Sequence, residues 1–394
     1  MGNKLDKSVD RRAMGALSAG HLFTDLNQGA AAALLPFLIS ERGFSLTLAG
    51  AFMLAVTVSS SVVQPLFGFF SDRHPLPILM PIGVLLAGVG MALVGVAPGI
   101  LTVFAGAILS GLGTAAFHPE AARFANYVSG ARRARGMSFF SVGGNAGVAV
   151  GPALVTPLVL VFGLPGTLFL AVPAALMAAI LLYEMPRMRS FQPESVDEAR
   201  GTRGEGAERW GPFAAMIGVV TVRSFVYFGL FSFVGAYYER VLDTSAAYGN
   251  VALTVMLLAG AIGTLLIGPL ADRFGRRTVL LTSMLVLPPL LLAFTVVGPL
   301  AGVALLALAG AATVGTFGVT VVLGQEYLPG RIGLAAGMTM GLSIGLGGVG
   351  APLLGLLADS RGLPTMMLAI AALPVAGFLL ALTLPRVAKK PKAV

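Results

Sequence analysis

The chain has 394 residues, of which 56% are hydrophobic and only 11% are charged, and its mean hydropathy is +0.89. A water-soluble protein of this length is far less apolar, so the composition excludes a soluble enzyme and indicates an integral membrane protein. The chain contains no cysteine, which excludes disulfide bonds and thiolate metal sites.

Apolar segments of about 20 residues or more recur along nearly the whole chain, and each is long enough as a helix to cross a bilayer. They lack the alternation of apolar and polar residues that is typical of a β-barrel. The first 12 residues are charged and the next helix is too long for a signal peptide, so we expect the N-terminus to be retained. We place twelve helices at residues 13–39, 47–71, 76–97, 100–128, 134–162, 165–184, 211–239, 247–271, 277–298, 300–328, 332–358 and 362–384.

One long polar stretch divides these helices into two sets of six. Residues 186–210 are rich in charged residues and glycine, which is typical of a flexible linker. The sequence therefore predicts an N-terminal six-helix bundle at 1–185, a cytoplasmic linker at 186–210 and a C-terminal six-helix bundle at 211–394.

The two halves also resemble each other in sequence. GFFSDR at 68–73 recurs as GPLADR 200 positions later, and Pro152 is matched by Pro352 at the same offset. Because each half has an even number of helices, both begin on the same side of the membrane. We therefore expect an all-α integral membrane fold of 12 transmembrane helices in two six-helix bundles related by pseudo-two-fold symmetry.

The distribution of positive charge predicts the topology. The sequence pI is about 10.2, and most of the 26 Lys and Arg residues lie on one side of the predicted bundle. With the N-terminus in the cytoplasm, only Arg42, Arg240 and Arg361 fall outside, as the positive-inside rule requires. The basic pI thus reflects topology rather than a nucleic-acid partner, and both termini are expected to be cytoplasmic.

Polar residues at membrane depth are concentrated in the first, fourth, seventh and tenth predicted helices. Such residues are costly in a bilayer and usually mark an ion or substrate pathway. A bundle in which these four helices line a central wet cavity accounts for the pattern, and a channel or a transporter would both fit it.

In the first helix, Ser18, His21, Asp25 and Gln28 follow a spacing that places them on one face. Asp25 is predicted near the membrane midplane, where it is either a proton-binding carboxyl or a structural acid hydrogen-bonded to a neighbouring helix. A carboxyl whose surroundings alternate between apolar and cationic can load and unload protons. His21 either relays this proton or bonds a backbone carbonyl, and Gln28 is a candidate substrate ligand.

The fourth helix carries a titratable cluster around Pro119, which removes a backbone donor beside His118. Glu120 and Arg123 are three residues apart, so Glu120 either forms a local ion pair or takes part in proton coupling. On a regular helix His118 and Glu120 point in nearly opposite directions. Both are retained as candidate proton-coupling residues.

The seventh helix places Arg223 near the midplane, with Tyr227 one turn below it. A cation with aromatic neighbours suits an anionic or aromatic substrate group. The alternative is an ion pair with Asp25 or Glu120 that locks one conformation. In the tenth helix, Thr316 lies on a polar stripe, and we count Arg223, Tyr227, Gln28 and Thr316 as candidate substrate ligands.

Three segments resemble the major facilitator superfamily, and within it the fosmidomycin-resistance branch. They are GHLFTDLNQGAAAALLPFL at 20–38, GLGTAAFHPEAAR at 111–123 and GPLADRFGRR at 268–277. The last of these fits the superfamily loop signature G-x-x-x-D-R-x-G-R-R in full. The resemblance implies two bundles that rock about a central site and exchange protons for substrate.

The same resemblance implies a gate at the cytoplasmic helix ends. The first-half loop keeps Gly68, Asp72 and Arg73 but lacks the later basic residues of the signature. An aspartate in such a loop can meet the positive N-terminal end of a helix and hold the cytoplasmic side shut. The candidate gating residues are Asp72, Arg73, Gly268, Asp272, Arg273 and Arg123.

These observations together predict a proton-coupled secondary transporter, most simply an antiporter that exports small amphiphilic or anionic drug-like compounds. The alternative is a symporter that takes up an organic anion with protons. The chain has no nucleophile motif or metal-ligand cluster in its sequence pattern, so we expect no enzyme activity, no cofactor and no metal. The expected partners are a small-molecule substrate, protons and the lipid bilayer of a bacterial inner membrane, and we expect a monomer that binds no nucleic acid.

Overall fold

A computed structural model confirms the all-α membrane fold. It describes residues 9–64, 66–67, 76–130, 133–191, 207–331, 334–335 and 338–385, and no strand occurs within these ranges. Ten helices in the described part of the chain are long and apolar enough to cross a membrane. The chain is therefore a multi-pass membrane protein.

Most helices of the first half begin and end close to the predicted residues, and the fourth has the predicted bounds, but the helix predicted at 47–71 ends at Ser61; its predicted end, residue 71, lies outside the described residues. A 3₁₀ segment, Leu164–Leu170, precedes the last of them, whose α-helical part extends past the predicted end. The helices are α1 (Arg11–Glu41), α2 (Leu46–Ser61), α3 (Leu79–Val96), α4 (Ile100–Val128), α5 (Arg133–Phe162) and α6 (Ala171–Arg189).

The second half departs from the predictions at two positions. The tenth predicted helix is broken at Thr316 into two α-helices. A π-helical turn, Met338–Leu342, directly precedes the α-helical part of the eleventh. The helices are α7 (Trp210–Arg240), α8 (Ala246–Phe274), α9 (Arg276–Phe294), α10 (Pro299–Gly315), α11 (Phe317–Tyr327), α12 (Ser343–Arg361) and α13 (Leu363–Leu382).

The chain divides into two compact units. The first comprises Met1–Phe37 and Ala55–Thr202, and the second comprises Leu38–Leu54 and Arg203–Val394. The end of α1 and the first half of α2 therefore belong to the second unit. The predicted boundaries at 185 and 211 lie on either side of the Thr202 division, and residues 192–206 of the linker lie outside the described ranges.

In the first unit, glycines bring the backbone of α5 directly against that of α1. A Cβ atom on Gly147 would lie 2.2 Å from the carbonyl oxygen of Leu22, and one on Gly151 would lie 2.4 Å from that of Leu26. On α1, Gly29 is equally close to the carbonyl of Val148. Only glycine permits this approach, and it places α5 beside the polar residues of α1.

In the second unit, α8 packs closely against α10, where a Cβ atom on Gly310 would lie 2.2 Å from the carbonyl oxygen of Met256.

The N-terminus of α2 is capped by a side chain from α12. Asp359 accepts hydrogen bonds from the backbone N–H groups of Leu46 and Thr47, at 2.9 and 2.8 Å, and from the hydroxyl of Thr47 at 2.6 Å. These bonds satisfy donors that a helix N-terminus leaves without an intrahelical partner.

Candidate functional site

The polar face of α1 gathers around the carboxylate of Asp25, which is buried in the first unit. His21 lies one turn before it, with Nε2 3.1 Å from Asp25 Oδ2. Gln28 lies about one turn after it and donates from Nε2 to Asp25 Oδ1 at 3.3 Å. The helical spacing thus brings all three side chains together, as the sequence predicts.

A second imidazole reaches Asp25 from α4. The Nε2 atom of His118 lies 3.1 Å from Asp25 Oδ1, so the carboxylate is held between two histidines. The two imidazole rings meet edge to face, with centroids 4.9 Å apart. The sequence pattern indicates His118 as a candidate but does not pair it with Asp25, because the local pattern does not determine which residues of α1 and α4 meet.

The backbone of α5 supplies a partner that the sequence does not reveal. The Nδ1 atom of His21 lies 2.8 Å from the carbonyl oxygen of Phe140. The Phe140 ring also stacks on the His21 ring, with centroids 4.2 Å apart and an interplanar angle of 24°. His21 therefore bonds a backbone carbonyl, as one of its two alternatives predicts, and also contacts Asp25; its role as a proton relay stays a prediction.

Glu120 occupies a different environment from His118. Its side chain is fully buried, and Oε1 accepts a hydrogen bond from the backbone N–H of Leu76 at 3.0 Å. The Nη1 atom of Arg123 lies 3.5 Å from the same oxygen. The local ion pair predicted from the spacing is present, and α4 continues as a helix through Pro119.

The side chains of His21, Asp25 and His118 lie close enough together to hold a metal ion. His21, Asp25 and His118 are the one group among the described residues whose ligand atoms, all within 4.8 Å of one another, are close enough to hold a metal ion. Both nitrogen-to-oxygen distances are ordinary hydrogen-bond lengths, so hydrogen bonding accounts for the arrangement. The expectation that no metal is used stays a prediction.

In the second unit, Arg223 on α7 is 2% exposed and contacts α11. Its Nη1 atom lies 3.2 Å from the hydroxyl oxygen of Thr316 and 3.4 Å from that of Thr320. The guanidinium carbon lies 5.3 Å from the centre of the Phe317 ring. In these contacts the cation meets hydroxyl oxygens and an aromatic face, which are neutral groups.

The break between α10 and α11 explains how a buried cation is tolerated here. Thr316 forms the C-terminal cap of α10, and the C-terminal end of a helix carries partial negative charge that favours a cation. The hydroxyls of Thr316 and Thr320 donate to carbonyls of their own helices, so their oxygens accept from Arg223. The Nη2 atom of Arg223 is buried and has no hydrogen-bond partner among the described residues.

Aromatic side chains continue along α7 from Arg223. The ring of Tyr227 stacks on that of Phe231, with centroids 5.3 Å apart, and meets Phe228 edge to face. Tyr227 is partly exposed in the structure. An anionic group at Arg223 would therefore lie one turn from an aromatic surface on the same helix.

The candidate gating residues are only partly described. Gly68, Asp72 and Arg73 lie outside the described residues. Asp272, near the end of α8, is exposed, and its Oδ1 lies 3.6 Å from Nη2 of Arg276. Arg276 also forms an ion pair with Glu326, and the guanidinium of Arg273 lies 5.1 Å from the centre of the Phe274 ring.

Known proteins resemble this chain over most of its length. A family model described as the Major Facilitator Superfamily matches residues 17–249 and 216–394. An uncharacterized MFS-type transporter of Bacillus subtilis, YfnC, is 37% identical over 369 residues, which cover 91% of this chain and 89% of that protein. The fosmidomycin resistance protein of Escherichia coli is 32% identical over 375 residues, with 93% of this chain and 91% of that protein covered.

A solved structure gives the same fold at lower identity. It is a bacterial homolog of the human lysosomal transporter Spinster in an inward-facing and occupied conformation. The TM-score is 0.75 and the identity is 16%, with 94% of this chain and 95% of that chain covered.

Proposed function

The chain belongs to the Major Facilitator Superfamily and resembles its fosmidomycin-resistance branch, and we propose that it is a proton-coupled antiporter. Membership of this superfamily makes the chain a membrane transporter rather than an enzyme. In the proposed cycle, protons enter while small amphiphilic or anionic drug-like compounds leave by alternating access. The observation that supports this proposal most directly is the buried carboxylate of Asp25, which lies between His21 and His118.

The cluster of Asp25, His21 and His118 supports proton coupling on chemical grounds. Imidazole exchanges protons near neutral pH more readily than any other side chain, and two imidazoles contact the same carboxylate. Ionisable residues within membrane helices commonly form proton relays in transporters. Glu120 is proposed as a secondary proton site near Arg123, separate from this cluster.

Arg223 supports an anionic substrate group. Its Nη2 atom is buried without a hydrogen-bond partner among the described residues, and an unsatisfied buried donor on a charged group is costly. A carboxylate, phosphonate or similar oxyanion would accept from this nitrogen, while the aromatic side chains of α7 would contact the apolar part of the compound. Thr316 orients the guanidinium by accepting from Nη1, and Gln28 is proposed as a substrate ligand from α1.

The direction of transport is proposed to be export. The Escherichia coli relative is named for resistance to fosmidomycin, and resistance by a transporter is most simply export of the drug. On α5, Gly147, Gly151 and Pro152 resemble the G-x-x-x-G-P sequence pattern of superfamily antiporters, and the two glycines lie in the close contact of α5 with α1. Proton-coupled uptake of an organic anion is the second candidate, because the same carboxylate and guanidinium would serve a symporter.

A cytoplasmic gate is proposed at the C-terminal end of α8, where Gly268, Asp272 and Arg273 lie within the helix. Asp272 would pair with the N-terminal end of another helix when the cytoplasmic side closes, assisted by Gly268 and Arg273. Asp72 and Arg73 are their counterparts in the first half, and Arg123 is proposed to take part in the gate as well. Asp272 is exposed in this structure and contacts Arg276. The protein is proposed to lie in a bacterial inner membrane as a monomer with both termini in the cytoplasm.

Two measurements test the proposal. The purified chain is reconstituted in liposomes that contain a pH-sensitive dye, a pH gradient is imposed, and fosmidomycin is added as the probe compound. Antiport predicts proton movement opposite to drug movement, whereas movement in the same direction would support the symporter. Drug movement that is independent of the pH gradient would overturn proton coupling.

Expression in an Escherichia coli strain that lacks its own fosmidomycin resistance protein provides the matching cellular test. Export predicts that growth tolerates higher concentrations of fosmidomycin than in the strain carrying an empty vector. An increased sensitivity to the drug would indicate uptake. Unchanged sensitivity, with drug-driven proton movement in liposomes also absent, would exclude fosmidomycin export by this chain.

A further inference from the structure

The tautomer of His21 is determined by its contact with α5. A carbonyl oxygen accepts hydrogen bonds and cannot donate them, so Nδ1 must carry the proton in the 2.8 Å contact with Phe140. In a neutral imidazole only one ring nitrogen is protonated. Neutral His21 in this position would therefore have a bare Nε2.

That bare nitrogen would face a carboxylate oxygen. The Nε2 atom lies 3.1 Å from Oδ2 of Asp25, and two acceptors at this distance repel each other. The contact is favourable only when one additional proton lies between them, carried either by Nε2 or by Oδ2. The observed geometry is thus that of a His21–Asp25 pair that holds two protons in all. One lies on Nδ1 of His21, and the additional one lies between Nε2 of His21 and Oδ2 of Asp25.

Gly144 makes this geometry sterically allowed. A Cβ atom at Gly144 would lie 2.4 Å from Nε2 of His21 and 2.8 Å from Oδ2 of Asp25. It would meet only the ends of these two side chains at those distances, so an alanine would displace the pair rather than the helix backbones.

We propose that the Phe140–Gly144 segment of α5 is a positioning element that makes His21 and Asp25 bind one exchangeable proton as a unit. Departure of this proton would break their contact. The inference rests on the proposed function and identifies the pair, rather than Asp25 alone, as the proton-binding site. The other groups placed against the pair are His118 on α4, which contacts the second oxygen of Asp25, and Gln28 on α1, which does not titrate.

Nitrogen NMR of the histidine rings tests the tautomer directly. The chain has three histidines, so labelling with ¹⁵N-histidine gives three pairs of ring nitrogen signals, one Nδ1 and one Nε2 for each ring, which are assigned with His74→Gln and His21→Gln variants. We expect Nδ1 of His21 to be protonated, because it faces the carbonyl oxygen of Phe140. A bare Nδ1 in the wild-type chain would overturn the inference.

Gly144→Ala tests the positioning role. We expect the alanine methyl to separate His21 from Asp25 and to change the ¹⁵N chemical shift of Nε2 of His21 at a fixed pH. Gly15→Ala on α1 is the control, because a Cβ atom there meets no atom within 4 Å, and it should leave that chemical shift unchanged. A Gly144→Ala spectrum identical to that of the wild type would contradict the proposal.

The NMR measurement also separates this inference from the proposed function, because it requires no substrate. A protonated Nδ1 and a Gly144→Ala shift, together with drug movement that ignores the pH gradient, would retain the positioning and reject proton coupling. A bare Nδ1 together with intact proton-driven transport would reject the positioning and retain proton coupling.

Discussion

His118 and Asp25 lie on different helices, yet Nε2 of the histidine is 3.1 Å from Oδ1 of the aspartate. The contact joins α4 to α1 at a buried position in the first unit. Together with His21 on the other carboxylate oxygen, it forms a continuous path of three titratable groups between two helices.

Asp25→Asn is expected to abolish proton-driven transport while sparing substrate binding. The amide has the same size as the carboxyl and can still hydrogen-bond both imidazoles, but it does not titrate near neutral pH. Proton movement in dye-loaded liposomes measures the loss, and binding of fosmidomycin at fixed pH measures what is retained. Wild-type proton movement in this variant would transfer the coupling role to Glu120 or His118.

Substitution of Arg223 is expected to weaken binding of anionic compounds. Arg223→Ala removes the charge and should reduce affinity about tenfold or more, since a hydrogen bond to a charged group contributes about 1.5–3 kcal/mol. Arg223→Lys keeps the charge but replaces a planar fork by a point charge, so it should also be impaired. Binding of matched anionic and neutral compounds at one pH is the measurement, and an equal loss for both would make Arg223 a structural residue.

Asp359→Ala is expected to destabilise the second unit by about 1 kcal/mol, because it removes the cap of α2. The carboxylate accepts from Leu46 and from both the N–H and hydroxyl of Thr47. A double-mutant cycle with Thr47→Val, followed by thermal unfolding in detergent, should give a coupling energy between the two residues. Ser360→Ala is the control, because that hydroxyl donates only within its own helix, to Leu357. Additive effects of Asp359→Ala and Thr47→Val would reject a stabilising hydrogen bond from the Thr47 hydroxyl, and an Asp359→Ala variant as stable as the wild type would reject the capping role.

A pH-dependent contribution to stability is expected from Asp10, which precedes α1. Its hydrogen bond with Arg187 lowers the pKa of its carboxyl below the ordinary value, and it also caps α1 through the N–H of Ala13. Because the pKa is lower in the folded chain, the stabilisation is fully present above the unfolded pKa of about 4 and is lost as the pH falls through the folded value.

Asp10→Asn keeps the cap and removes the charge, so the melting temperatures of variant and wild type should differ at neutral pH and converge as the pH falls well below 4. Asp10→Ala should also lose the cap, at about 1 kcal/mol. A difference between wild type and Asp10→Asn that does not change with pH would contradict the assigned role of the Arg187 contact.

The sequence determined the features that depend on local periodicity. Hydrophobic runs located the helices to within a few residues in most cases, and the 3.6-residue repeat placed His21, Asp25 and Gln28 on one face of α1. The three-residue spacing of Glu120 and Arg123 gave their ion pair. These features are recoverable because each is set within a single helix by backbone geometry.

Tertiary structure decided which of these faces meet. Glycines that leave no space for a Cβ atom bring α5 against α1. This approach makes the backbone carbonyl of Phe140 the partner of His21, and every residue type carries such a carbonyl. The break at Thr316 provides hydroxyl groups as partners for Arg223. From the sequence, only a carboxylate or a substrate group was expected to contact this guanidinium. Neither contact has a signature in local sequence, because both depend on the relative placement of helices that are distant along the chain.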